Sequence, residues 1–191
     1  MKNSFHACLY VIVSILLSTI SVEATEPFEL PKEYSVEMIS TDAGKEVKGM
    51  LYVTGNFMCL ESTVMGSKAI TIIRQDKGVL WTLMPELKMY IEVPLQPGAT
   101  PAPLPPTNTV WQKVGEEILD GETVEKWTGT FEVQKQPLVM TYWISKSTKV
   151  PVQTQFKRDL NKWKNLKAGP QDSKLFELPA GYKKMGDQEK K

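Results

Sequence analysis

Histidine is almost absent from this chain of 191 residues: there is one, His6, and cysteine occurs only as Cys8 and Cys59. His6 and Cys8 both lie in residues 1–24. There a positive start at Lys2, an apolar run over 7–17 and Val22 and Ala24 at the two positions read by a signal peptidase spell a secretory signal cut after Ala24. The apolar run is shorter than the ~20 residues a membrane-spanning helix needs, and no second run follows, so an integral membrane protein is not expected. Cys8 leaves with the signal and is not at its cleavage point, which argues against a lipid-modified N-terminal cysteine.

What remains, residues 25–191, has no histidine and the single thiol of Cys59. An internal disulfide, a histidine-based metal site and a histidine-dependent triad are thereby excluded. No glycine-rich phosphate loop or spaced metal-ligand set is present, so no metal, no cofactor and no catalytic residue is assigned, and a non-enzymatic role is expected. Lys and Arg number 23 against 22 Asp and Glu, a net charge of +1, which gives no basic footprint for nucleic acid. No long segment has a period of 3.6, so helices are expected to be few. The mature chain is long enough to bury one core and is read as a single β domain.

Period-two strands fill the chain instead. Residues 70–93, ITIIRQDKGVLWTLMPELKMYIEV, read as three antiparallel strands. A three-residue loop at Asp76-Lys77-Gly78, with Gly78 left-handed, pairs Gln75 with Val79 and Ile72 with Thr82, and the loop 85–88 sets Met84 opposite Met89. Side-chain alternation then collects Ile70, Ile72, Leu80, Thr82, Met84, Met89, Ile91 and Val93 on one face.

Upstream, Glu26-Pro27-Phe28-Glu29-Leu30-Pro31 opposes a helix start, and a strand follows over 34–40. Gly55-Asn56 joins strands 47–54 and 57–65 as a two-residue hairpin, pairing Val53 with Met58 and Leu51 with Leu60. Cys59 falls on the opposite face with Met50, Tyr52 and Phe57. A three-residue loop at Gly66-Ser67-Lys68 merges the two apolar faces, and a two-residue loop sets them on opposite sides. The merged version is expected because it leaves one continuous buried face. It predicts an apolar groove of Leu51, Met58, Leu60, Ile70, Ile72, Leu80, Met84, Met89 and Ile91.

Downstream, the proline-rich stretch 94–108 excludes helix and interior strand and reads as a polyproline-like connection or a lid over the open side of the sheet. Strands follow over 111–119, 123–133, 138–145 and 150–158. The lysine-rich segment 157–167, with Trp163 between lysines, reads as an edge strand defended by charge, with contact to anionic lipid as the alternative.

Three constellations bear on chemistry. Glu116, Glu117, Asp120, Glu122 and Glu125 crowd one hairpin; a paired-carboxylate hydrolase needs two of them converging in a cleft, whereas a solvated hairpin end needs nothing more. Met38, Met50, Met58, Met65, Met84, Met89 and Met140 offer thioethers to Cu(I), but only Met84 and Met89 meet in this register, and methionine fills irregular apolar surfaces readily. Cys59 has no histidine to activate it.

The order of elements, WTLMPELKMY at 81–90, VGEEILDG at 114–121 and FELPAGY at 176–182 together resemble a family of secreted bacterial domains of unknown function, itself similar to the periplasmic lipoprotein carriers, the LolA-like proteins. The resemblance covers nearly all of the mature chain and implies a mostly β fold with few short helices: an open half-barrel of about ten strands in one strongly curved antiparallel sheet. It implies a periplasmic protein of a Gram-negative envelope, with a lipid or lipoprotein acyl chain as partner in the concave face. It equally admits an envelope protein-interaction or stress-sensor module of the same fold. The chain lacks the carriers' N-terminal amphipathic helix and has prolines where plug helices would sit.

Overall fold

The computed structural model describes residues 26–42, 45–64, 66–95, 105–106, 108–133 and 135–186. They form one open twelve-stranded sheet and no helix longer than a 3-10 turn. The first strands are β1 (Glu33–Asp42), β2 (Lys45–Thr54), β3 (Phe57–Val64), β4 (Ser67–Arg74), β5 (Val79–Met84) and β6 (Met89–Pro94). The second run is β7 (Val110–Leu119), β8 (Glu122–Val133), β9 (Gln136–Ser145), β10 (Pro151–Phe156), β11 (Asp159–Ala168) and the two-residue β12 (Lys183–Lys184). Their order is β12-β6-β5-β4-β3-β2-β1-β11-β10-β9-β8-β7, so β1 and β11 join two meanders into one sheet.

All pairings are antiparallel except β12 with β6. The count exceeds the expected ten because the lysine-rich segment is a full strand and β12 adds a short one. The edge position expected for that segment is corrected: β11 lies between β1 and β10. Pairing on both sides sets the placement: Trp163 stands opposite Met38 of β1 and is buried in one cluster with it, and Lys162 stands opposite Gln153 of β10.

One face is continuous across both meanders. Tyr34, Val36, Met38, Leu51, Val53, Met58 and Trp163 form one buried cluster, and Phe28, Trp111, Tyr142 and Ile144 form another. Leu30 packs against both, so this face curves around the N-terminal segment and is the inner one. Phe28 stacks on Tyr142 at 5.6 Å and meets Trp111 edge-on at the same distance. Trp111 reaches Tyr142, two strands away, because Gly129 on the intervening β8 has no side chain in its path.

Candidate inner-face ligand site

The inner face of β3 to β6 is a small grid fixed by register. Met58 stands opposite Ile73, Ile73 opposite Leu80, and Leu80 opposite Val93. The next row runs Leu60, Thr71, Thr82, Ile91. The third holds Ser62 opposite Ala69, and Met84 opposite Met89. On β2, Leu51 opposite Leu60 and Val53 opposite Met58 continue the grid inward, as the Gly55-Asn56 hairpin predicts.

Ile70 and Ile72 are not in this groove, contrary to the merged-face expectation. Val64 pairs with Ser67, so the β3–β4 connection has two residues and β4 is slipped by one. The β4–β5 loop has four residues, with Arg74 opposite Val79 and Gly78 left-handed at φ 64°. That second slip reverses the first. Leu80, Met84, Met89 and Ile91 therefore still share the face of Leu51, Met58 and Leu60, while Ile70 and Ile72 turn outward beside Glu61 and Cys59.

The outer face at β4 is apolar because the C-terminal segment covers it. Phe176, fully buried, packs with Cys59, Ile72, Trp81 and Leu83, and Leu175, Leu178 and Tyr182 complete the contact. The FELPAGY motif is thus a strap. Arg74, buried on the same face, donates from Nη1 to the Phe176 main-chain oxygen at 3.1 Å and pairs with Asp76 and Glu177. Its guanidinium also lies 4.5 Å from the Phe57 ring centre. The Asp76 hydrogen bond, more than any other contact, holds the Arg74 guanidinium above its ordinary range, so it stays charged. Sequence reading missed Arg74; a lone arginine ending an apolar strand was the available signal.

Burial grades across the inner face. Leu51 and Met58 are buried, Leu60, Leu80, Met84 and Met89 are half-buried, and Ile91 and Val93 are 39 % and 47 % exposed. The centre of the half-barrel is filled by the protein's own side chains, and the flank toward β6 is open among the described residues. Tyr34 Oη, Thr154 Oγ1 and Trp163 Nε1 are buried at the filled centre without a described hydrogen-bond partner. The proline-rich lid reading falls mostly on residues 96–104 and 107, outside the described residues; Leu95 is bonded to Gly78 (2.8 Å), and Thr109 to Pro106.

The carboxylates of the β7–β8 hairpin are tied up by cations and donors. Glu116 accepts from Lys146 at 2.7 Å and Lys113 at 3.0 Å, and Glu125 from Lys113 at 2.9 Å. Glu117 accepts from the Trp143 indole, and Glu122 from Ser145 and Ser147. Lys146 chiefly lowers the pKa of Glu116, and Lys113 that of Glu125. Both stay ionised, the reverse of what a general acid needs. Burial, reinforced by Glu61, pushes the Cys59 thiol up to about 12, which makes it a packing group.

No protein-family model matches the chain, and no curated protein matches it. Solved structures do. An uncharacterized conserved protein from Thermus thermophilus superposes with a TM-score of 0.60 at 15 % identity, over 81 % of this chain and 90 % of that one. The LolA superfamily protein NE2245 from Nitrosomonas europaea gives 0.43 at 12 % identity over 81 % and 94 %. Lipoprotein LppX from Mycobacterium tuberculosis gives 0.41 at 14 % over 72 % and 88 %. The fold is an open half-barrel made of one mostly antiparallel sheet, and the likeness to the Thermus thermophilus protein, at 15 % identity, is one of fold alone.

Proposed function

We propose that the mature protein is a non-catalytic binding protein of the bacterial periplasm, which holds an acyl chain, the lipid of a lipoprotein or a similar elongated apolar ligand on the open flank of its inner face. Leu60, Leu80, Met84, Met89 and Ile91 make the surface, and Leu51 and Met58 are its closed floor. The observation that carries this reading is the burial gradient: apolar rows run outward from a filled core and remain accessible at β5 and β6. At ~25 cal/mol per Å² of apolar area, covering a few hundred Å² supplies several kcal/mol before association costs. Unbranched Met84 and Met89 suit chains of varied shape. Among the described residues no group of His, Cys, Asp and Glu side chains is placed to hold a metal, and the hairpin carboxylates are committed to ion pairs and hydrogen bonds. Residues 1–24 supply the export signal this location needs.

Native mass spectrometry of protein purified from its host, with titration of a fluorescent fatty acid against wild type, Leu80→Glu and Met84→Glu, tests the proposal. Co-purified lipid and weakened titration in both variants support it. Absence of lipid together with unchanged titration in folded variants ends it.

The second reading, an envelope protein-interaction or stress-sensor module, has one observation in its favour. Among the described residues β7 pairs only with β8 and exposes Val110, Val114 and Ile118. A stoichiometric protein partner retained from envelope extracts after delipidation would favour that role.

A further inference from the structure

The middle row of the open flank is not apolar throughout. Thr71 and Thr82 stand directly opposite one another at its centre, between Leu60 and Ile91. Alternation places both on the inner face, because their neighbours Ile70, Ile72, Trp81 and Leu83 belong to the outer one. Both are half-buried, and among the described residues neither hydroxyl is bonded to another group. The row on one side, Met58, Ile73, Leu80 and Val93, carries no polar side-chain oxygen or nitrogen, and the row on the other, with Ala69, Met84 and Met89, carries one only at its β3 end, where Ser62 stands opposite Ala69.

A pure hydrocarbon laid over this grid would strip water from two hydroxyls and return no hydrogen bond, which opposes binding. A ligand with an acceptor above each threonine would regain both bonds and keep its chains on the flanking rows. Neighbouring strands are ~4.8 Å apart, and directly opposed Cβ atoms ~5 Å, so the two acceptors must be spaced by about that distance.

Resting on the proposed ligand site, we infer that Thr71 and Thr82 select acyl esters over plain hydrocarbon. The two hydroxyls donate to the paired ester carbonyl oxygens of a diacylated glyceryl group, whether of a free lipid or of a lipid-modified peptide. Thr71 and Thr82 are then specificity residues, and the flanking rows supply affinity without discriminating linkage chemistry.

The test compares 1,2-dilauroylglycerol with its 1,2-dialkyl ether, which keeps the chains and lacks the carbonyls, by displacement of a fluorescent fatty acid from wild type and from the Thr71→Val, Thr82→Val double variant. Wild type should prefer the ester by about tenfold, since each neutral hydrogen bond contributes on the order of a few-fold in affinity. The double variant should bind ester and ether alike while holding the ether at least as tightly as wild type does. Equal affinity of wild type for both compounds overturns the inference while leaving the ligand site standing, and binding of neither overturns both. A diacylated lipopeptide titrated in parallel names the source: tighter binding of peptide or of free diester supports the inference either way. Thr71→Ser, Thr82→Ser, which keeps the hydroxyls, should retain the preference; its loss there would assign the effect to packing and overturn the inference.

Discussion

Arg74 bonds the main-chain oxygen of Phe176, 102 residues further along the chain, from a position where its guanidinium is buried. That bond, with the ion pairs to Asp76 and Glu177, pins the strap to the back of β4. The strap in turn makes Ile72 a core residue and packs against the partly buried Ile70.

Replacing Arg74 by Met should therefore loosen the strap rather than the ligand surface. The Phe176 carbonyl loses its donor inside the cluster, at a cost of about 1–3 kcal/mol. Urea denaturation should show that loss, with hydrogen exchange speeding first over 175–185. Unchanged exchange in the strap would refute the clip.

The same clip makes stability depend on acid. Arg74 holds the carboxyls of Glu177 and Asp76 below the ordinary carboxylate range. A carboxyl with a depressed folded-state pKa contributes stability that is fully present above its unfolded value, ~4, and is lost as pH falls through the folded value. Strap protection should hold from neutral pH to about 4 and decline below it. Glu177→Gln should flatten that decline, and an equally steep decline in that variant would exclude Glu177.

Ile72 and Met84 have opposite fates on conversion to Glu, although the merged-face pattern grouped them. Ile72 is 2 % exposed beneath the strap, so Ile72→Glu buries an unpaired charge and should cost more than about 3 kcal/mol. Met84 is half-buried on the open flank, and Met84→Glu should cost about 1 kcal/mol or less. Thermal melts of the two variants give the comparison, and similar losses would contradict the observed register.

Gly129 is required by the Trp111–Tyr142 contact. A Cβ there would lie 2.8 Å from Thr109 Cγ2 and 2.9 Å from Trp111 Cζ3. Gly129→Ala should push Trp111 off Tyr142 and destabilise the protein by about 1–3 kcal/mol, with a shift in tryptophan emission. A variant with wild-type stability and emission would mean that β7 can move aside freely.

Cys59 should be silent to thiol reagents in the folded protein. Its thiol is buried and pushed up to about 12. Labelling at pH 8 should follow the rate of unfolding and accelerate in urea; prompt labelling in buffer would contradict the burial.

What the sequence determined by itself was local. Alternation named the strands, Gly55-Asn56 set Leu51 against Leu60, and Pro85 to Lys88 set Met84 against Met89. The scarcity of histidine and cysteine, His6 alone and two cysteines in 191 residues, narrowed the expected chemistry before any fold was known. Which face each strand showed to the core was decided by tertiary structure. Side chains alternate with a period of two, so one residue more or less in a loop inverts a whole strand. On β4 both faces are apolar, with Ile70 and Ile72 on one and Ile73 on the other, and pattern could not choose between them. The choice came from Phe176 and its strap, which cover the outer face from a hundred residues away, and from β1 pairing with β11, which made the lysine-rich strand central. Partners so distant in sequence leave no periodic trace in the strand they bury.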